Sequence, residues 1–173
     1  MPVTRLNHAV LYVRDVAKSV AFYSETLGFR EVLSVPGAAA FLQASGSTND
    51  HDLGLFQIGS QAGDSGAGRA TVGLYHLAWE VDTLDELQRI AIVLAEAGAL
   101  SGATDHATTK ALYAKDPDGI EFEVCWLVPA DLIDDELLER AKQVQVAHLD
   151  LLSEIVRYGA DTRGGVGVST PVC

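Results

Sequence analysis

His8 lies in Leu6-Asn7-His8-Ala9-Val10-Leu11-Tyr12-Val13, and His76 lies in Leu74-Tyr75-His76-Leu77-Ala78-Trp79-Glu80-Val81. A Leu-x-His pattern on a strand-forming run thus recurs 68 residues apart. In each run, side-chain alternation puts the histidine mid-strand on an apolar face, and any pseudo-twofold relation between the runs would bring the two rings together. A third chemical group follows in Ile120-Glu121-Phe122-Glu123-Val124-Cys125-Trp126. There, period-two alternation gives Glu121, Glu123 and Cys125 one face and Phe122, Val124 and Trp126 the other. A carboxylate within an apolar strand is costly to bury unless it is paired or holds a metal; the alternative is an edge strand with two solvated glutamates. Glu123 follows His76 by 47 residues, and the same step from His8 lands on Leu55. The first repeat therefore offers no carboxylate where the second does. His8, His76 and Glu123 make a two-histidine, one-carboxylate set, the donor combination expected of a non-haem Fe(II) oxygenase with open positions for substrate and O2.

The elements that must position these groups read as two copies of one unit. After the His8 strand, Asp15 can cap a helix whose stripe is Val16, Val20, Tyr23 and Leu27, closed by Gly28. Strands are expected over 29–35 and 38–44, joined at Pro36-Gly37, and over 52–58. Residues 59–70, rich in Gly, Ser, Ala and Asp, read as a flexible connection. The His76 strand then runs into an acidic cap, a helix over 84–97 closed by Gly98, and strands near 100–103, 111–115 and 120–126. Asp116-Pro117-Asp118-Gly119 is strong turn chemistry and makes the last two a hairpin. Each half is strand–helix–strand–strand–strand, a repeat expected to complete one core.

The 173 residues suit a single domain with a substantial core, and the chain is 48% apolar and 21% charged. Twelve basic against 24 acidic side chains give a formal charge of −12, which argues against nucleic acid and anionic membranes as partners. Two cysteines, Cys125 and Cys173, imply neither a disulfide framework nor a cysteine zinc site. Without a signal peptide or an apolar run long enough to span a bilayer, a cytoplasmic location is the expectation. After Pro129, residues 134–158 carry Leu137, Leu138, Ala141, Val144, Leu151, Leu152 and Ile155, which read as one amphipathic helix packing on the domain or on a second copy. His148, near that stripe, reads as a packing or interface residue. Gly-rich residues 159–173 read as a loose tail.

Over nearly all of residues 3–128 the paired βαβββ units, with candidate ligands on their inner strands, resemble the vicinal oxygen chelate superfamily. Thr104-x-His106, then Leu112-Tyr113, Asp116-Pro117-x-Gly119 and Glu123, is similar to the signature of its type I extradiol, catechol 2,3-type, ring-cleavage dioxygenases. The resemblance implies an α+β fold: one vicinal oxygen chelate domain over 1–128, with modules of about 3–58 and 73–128, a helical extension over 129–158 and a tail over 159–173. It also implies that Glu123, rather than Glu121, is the iron ligand beside His8 and His76, with Fe(II) the metal and Mn(II) the alternative. His106 and Tyr113 would hydrogen-bond the substrate oxygen. His51-Asp52 resembles the family's His-Asp at the start of the equivalent strand, which implies that His51 is the acid/base residue near dioxygen. The implied partners are a catecholic small molecule and O2. Typical members carry two such domains per chain, and this one resembles the single-domain members; the long apolar stripe over 134–158 leads to the expectation of a homodimer or larger homo-oligomer. Glyoxalase- or epimerase-like members use a glutamate on the first module's fourth strand, where 53–58 has none. Drug-binding members of the bleomycin-resistance type need no such triad.

Overall fold

The computed structural model describes residues 2–3, 5–67 and 70–165. Two compact units are distinguished, Met1–Gly66 with Asp116–Ile120 and Ala67–Lys115 with Glu121–Cys173.

In the first unit, β1 (Ala9–Val13) leads into α1 (Val16–Leu27), followed by β2 (Arg30–Val35), β3 (Ala39–Gln43) and β4 (Leu53–Gln57). The sheet order among the described residues is β1-β4-β3-β2, with β1 and β4 parallel and the other pairs antiparallel. Asp15 caps α1, its side chain accepting from Lys18 N, and Gly28 ends the helix at φ 71°, a left-handed conformation that suits glycine. The helix seats Val16 and Tyr23 against the sheet face formed by Leu11, Val13, Leu42, Leu53 and Leu55, all at most 7% exposed. Each such side chain stabilises the fold by about 1.5–3 kcal/mol. The opposite sheet face carries His8, Val10, Tyr12 and Phe56, with Val10 and Tyr12 strongly exposed. Arg14 secures the loop after β4: its guanidinium donates to Ala62 O and Asp64 and to Asp118 of the 116–120 turn.

The second unit repeats this order. β5 (Leu77–Glu80), α2 (Leu84–Glu96), β6 (Leu100–Asp105), β7 (Thr109–Lys115) and β8 (Glu121–Leu127) give the sheet β5-β8-β7-β6, extended by β9 (Ala147–His148). β5 and β8 are parallel, as β1 and β4 are. Leu84, Leu87, Ile90 and Leu94 form the fully buried stripe of α2. Its N-cap is Thr83, which accepts from Glu86 N, so the cap lies one residue beyond the acidic Asp82 expected from sequence. β7 and β8 pair through the register Tyr113↔Glu123 and Lys115↔Glu121, the hairpin that the Asp-Pro-Asp-Gly turn predicts. That turn closes with Gly119 N donating to Asp116 O while Gly119 takes φ 82°. The architecture is thus α+β, with two mixed sheets and a repeated βαβββ module.

The C-terminal segment departs from the single helix expected over 134–158. It forms a short 3-10 turn (Ala130–Leu132), α3 (Asp135–Lys142), β9 and α4 (Leu151–Tyr158). Val144 sits at φ 51° and breaks the helix, and β9 then pairs with β6 through Thr104↔His148 and Asp105↔Ala147. Edge pairing satisfies backbone groups of β6 that a continuous helix would leave to solvent. His148 is exposed on this strand rather than packed on a helix face. Residues 159–165 are held in place: Gly164 N donates to Asp82 O and Trp126 Nε1 donates to Thr162 O. A side chain at Gly164 would meet Leu127 O and the Trp126 ring at 3.1 Å, tighter than an ordinary contact, so this close approach favours glycine. The rest of the expected tail, 166–173, lies outside the described residues.

Candidate functional site

His8 and His76 each immediately precede their strand, β1 and β5, rather than lying mid-strand. Their positions in the two modules are nonetheless equivalent. Strand register makes the equivalence sharper than sequence offset did: Ala9 pairs with Leu53 as Leu77 pairs with Phe122. The residue matching Glu123 is therefore Gly54, not Leu55, because the first module reaches its fourth strand one residue sooner. Gly54 is buried, and an added Cβ there would touch Val10 at 3.4 Å and Phe41 at 3.7 Å.

In the second unit, β8 presents Glu123 beside His76. Their Oε2 and Nε2 atoms are 3.0 Å apart, and the Glu123 side chain is only 12% exposed. Glu121, two residues earlier on the same face, is 40% exposed and meets Lys115 at 3.4 Å, a solvated contact at the strand end. Tyr113, opposite Glu123 across the β7–β8 ladder, packs its ring edge-on to His76 at 5.8 Å. Burial, and then the Glu123 charge, push the Tyr113 hydroxyl up to about 12, so it stays protonated across the physiological range. His106, just past β6, places Nε2 2.9 Å from Tyr113 Oη. A continuous polar sequence, His106–Tyr113–Glu123–His76, thus runs along the four neighbouring strands β6, β7, β8 and β5. On the same face, burial and then the Glu123 charge push the Cys125 thiol up to about 12, which makes it an inert strand residue rather than a nucleophile.

In the first unit, His51 stacks near His8 with ring centroids 4.5 Å apart and meets the Phe41 ring edge-on at 5.1 Å. The loop before β4 sets its position. Asp52 accepts from Ala44 N, Ser47 Oγ and Asn49 Nδ2, a set of bonds that closes the 44–52 turn. Asp50 lies 3.3 Å from His51 Nδ1 and orients the ring. His8 Nδ1 faces Asn7 Oδ1 at 2.7 Å.

The structure brings together His76 with Glu123, His106 with Tyr113, and His8 with His51. Among the described residues, no three His, Cys, Asp or Glu side chains gather as a metal cluster. The pair of His76, just before β5, and Glu123 on β8 suits a divalent metal. Neighbouring ligands of an octahedral ion at about 2.1 Å stand about 3.0 Å apart, the separation of His76 Nε2 and Glu123 Oε2. His76 Nδ1 is buried without a hydrogen-bond partner, so whichever nitrogen carries the proton, the ring is incompletely satisfied.

Sequence reasoning missed a charged cluster behind this face. Lys110 is fully buried on β7, with Nζ 2.6 Å from Asp105 Oδ1 and 3.0 Å from Glu154 Oε2, the latter a charge contact outside hydrogen-bond alignment. Arg140 Nη2 donates to Asp105 Oδ2 at 2.8 Å. Burial raises the Asp105 acid, but the Lys110 and Arg140 hydrogen bonds outweigh it and hold the group below its usual range. The signal was present in the alternation of β7, which puts Lys110 on the inward face with Leu112 and Ala114.

Residues 5–124 match the Glyoxalase/Bleomycin resistance protein/Dioxygenase superfamily, and the chain belongs to that superfamily. A catechol-2,3-dioxygenase of Bacillus subtilis (strain 168) is 32% identical over 121 residues, covering 70% of this chain and 41% of the relative. The chain therefore spans less than half the length of that relative. Two solved structures share the fold. One is a glyoxylase/bleomycin resistance protein/dioxygenase domain from Frankia sp. EAN1pec, with TM-score 0.62 and 22% identity over 75% of this chain and 96% of that one. The other is a variant of the fosfomycin resistance protein FosX from Listeria monocytogenes, solved with Mn(II) and a dihydroxypropylphosphonic acid. It has TM-score 0.54 and 21% identity over 71% of this chain and 90% of that one. Among the described residues no helix is long and apolar enough to cross a membrane.

Proposed function

We propose that this chain is an Fe(II)-dependent extradiol dioxygenase that opens the ring of a catechol-type substrate with O2. The observation that carries the reading is the polar sequence His106–Tyr113–Glu123–His76, in which two expected metal ligands meet two expected substrate-binding groups. The dioxygenase relative supports the reaction type. Gly54 and Leu55 on β4 argue against the isomerising members, whose chemistry uses a carboxylate on that strand.

His8, His76 and Glu123 would hold the metal, with Mn(II) the alternative to Fe(II). Bound Fe(II) would supply adjacent positions for the diol and O2 and the path for electrons between them. Tyr113 keeps its proton at working pH and so acts as a hydrogen-bond donor toward the substrate oxygen that becomes the ketone. His106 fixes the direction of the Tyr113 hydroxyl through their shared hydrogen bond. His51, oriented by Asp50 at Nδ1, presents Nε2 to accept or deliver the proton that accompanies O–O cleavage. The active form is a homodimer or larger assembly.

The test is O2 consumption by protein loaded anaerobically with Fe(II), across a panel of substituted catechols, with the yellow ring-opened product followed by absorbance. Stoichiometric O2 uptake with a yellow product on any member supports the proposal. Full iron loading with no uptake across the panel contradicts it.

A further inference from the structure

The turn Asp105–Thr109 carries His106, and its conformation is costly. Ala107 is fully buried and takes φ 66°, a left-handed conformation that a residue with a Cβ seldom adopts. Such a backbone persists only where surrounding contacts over-determine it. Here Asp105 Oδ1 accepts from Ala107 N at 2.8 Å and from Lys110 Nζ at 2.6 Å, which ties both ends of the turn to one carboxylate oxygen. His106 N donates to Thr109 O, and Val128 N donates to Thr108 O. The second oxygen of Asp105 binds Arg140 of α3, and Lys110 is flanked by Glu154 of α4. The same C-terminal segment covers the edge of β6 through β9, and Leu149 N donates to Ala103 O. Tyr158 stacks on Trp126 at 5.6 Å and lies 5.8 Å from the Lys110 ammonium.

Arg140 and Glu154 both lie beyond the family-matched residues 5–124. We infer that the C-terminal segment, acting through Arg140 and Glu154 on the Asp105–Lys110 pair, sets the position of His106 against Tyr113. Arg140 and Glu154 are thus positioning residues for the reaction, supplied by an element outside the repeated modules. A helix added only for solubility or packing needs no charge aimed at the carboxylate that fixes this turn. The inference rests on the proposed role of His106 as a substrate-orienting group, but its geometry can be read without turnover.

Arg140 is partly exposed, which makes it the safest residue to change. Arg140→Gln removes the charge, Arg140→Lys restores it, and Lys142→Gln removes a surface charge from the same helix whose partner is Glu139. The primary readout is the His106 imidazole ¹⁵N signal in folded, metal-free protein, with Tyr113→Phe defining the value when the His106–Tyr113 bond is absent. The inference expects Arg140→Gln to move the His106 signal toward the Tyr113→Phe value, while Arg140→Lys and Lys142→Gln stay near the parent. In iron-loaded protein, kcat/KM for a catechol should fall about 10- to 100-fold in Arg140→Gln with iron content unchanged, as expected when a reacting geometry loosens. An unmoved His106 signal in folded Arg140→Gln overturns the inference. If Arg140→Gln does not fold, Glu154→Gln, which removes the other charge that the segment places on Lys110, decides: a His106 signal moved toward the Tyr113→Phe value supports the inference, and a parent-like signal overturns it. Absence of turnover in every protein, parent included, would count against the dioxygenase reading and leave the signal test standing.

Discussion

Lys110→Met removes the central charge of the buried cluster and keeps most of the side-chain volume, so it isolates what the charge contributes. The Lys110 side chain is fully buried, 2.6 Å from Asp105 and 3.0 Å from Glu154. Breaking a buried pair by deleting one partner costs about 3–5 kcal/mol, because the other charge is left uncompensated. Asp105 would keep Arg140 and the Ala107 N–H, and Glu154 is already 14% exposed, so part of that penalty is absorbed. A loss of about 2–4 kcal/mol is expected. With a urea slope of about 2 kcal/mol per M, the unfolding midpoint should fall by about 1–2 M. The pH dependence sharpens the test. The folded-state pKa of Asp105 is depressed, so its contribution is present above the unfolded value near 3.9 and is lost as pH falls through the folded value. Removing Lys110 weakens that depression. The gap between parent and variant should therefore be widest at neutral pH and narrow below about pH 4. A midpoint shift under about 0.3 M at pH 7, or a gap that stays constant into acid, would refute the assignment of stability to this charge cluster.

Other perturbations separate fold from chemistry. Tyr23 is buried and donates to Asp116 Oδ2 at 3.2 Å, while Asp116 also accepts from Asp118 N and Ile120 N. Tyr23→Phe should therefore remove this hydrogen bond at a cost of about 0.5–1.5 kcal/mol and lower the calorimetric melting temperature by about 1–6 °C; a rise in melting temperature would contradict this. His51→Gln should leave iron content and catechol binding intact and slow turnover about 10²–10⁴-fold. Iron loss in that variant would make His51 a ligand, and parent-like turnover would put proton transfer elsewhere.

Much of the site was legible because repetition and alternation are local signals. The Leu-x-His recurrence pointed to both histidines, and the Asp-Pro-Asp-Gly turn announced the hairpin, whose observed register sets Glu123 opposite Tyr113. Alternation alone left Glu121 and Glu123 on the same side of one strand, and the resemblance preferred Glu123; the contacts agree, since Glu123 meets His76 and Glu121 meets Lys115. The offset that pointed to Leu55 instead of Gly54 failed because the modules differ by one residue before the fourth strand. The helix read over 134–158 failed at Val144, where apolar spacing continued but β9 gained strand pairing with β6. The Asp105–Lys110–Arg140–Glu154 cluster drew its partners from four separate elements, a coincidence that no periodicity records.

The central claim is that His8, His76 and Glu123 hold the iron that activates substrate and O2. Its most direct test is the iron content, by plasma emission, of anaerobically reconstituted parent, His8→Ala, His76→Ala, Glu123→Ala and Glu121→Ala proteins after removal of loose metal. The account predicts about one iron per chain in the parent and in Glu121→Ala, and loss of iron in the three ligand variants. Full iron retained by folded Glu123→Ala, or by either histidine variant, would contradict it.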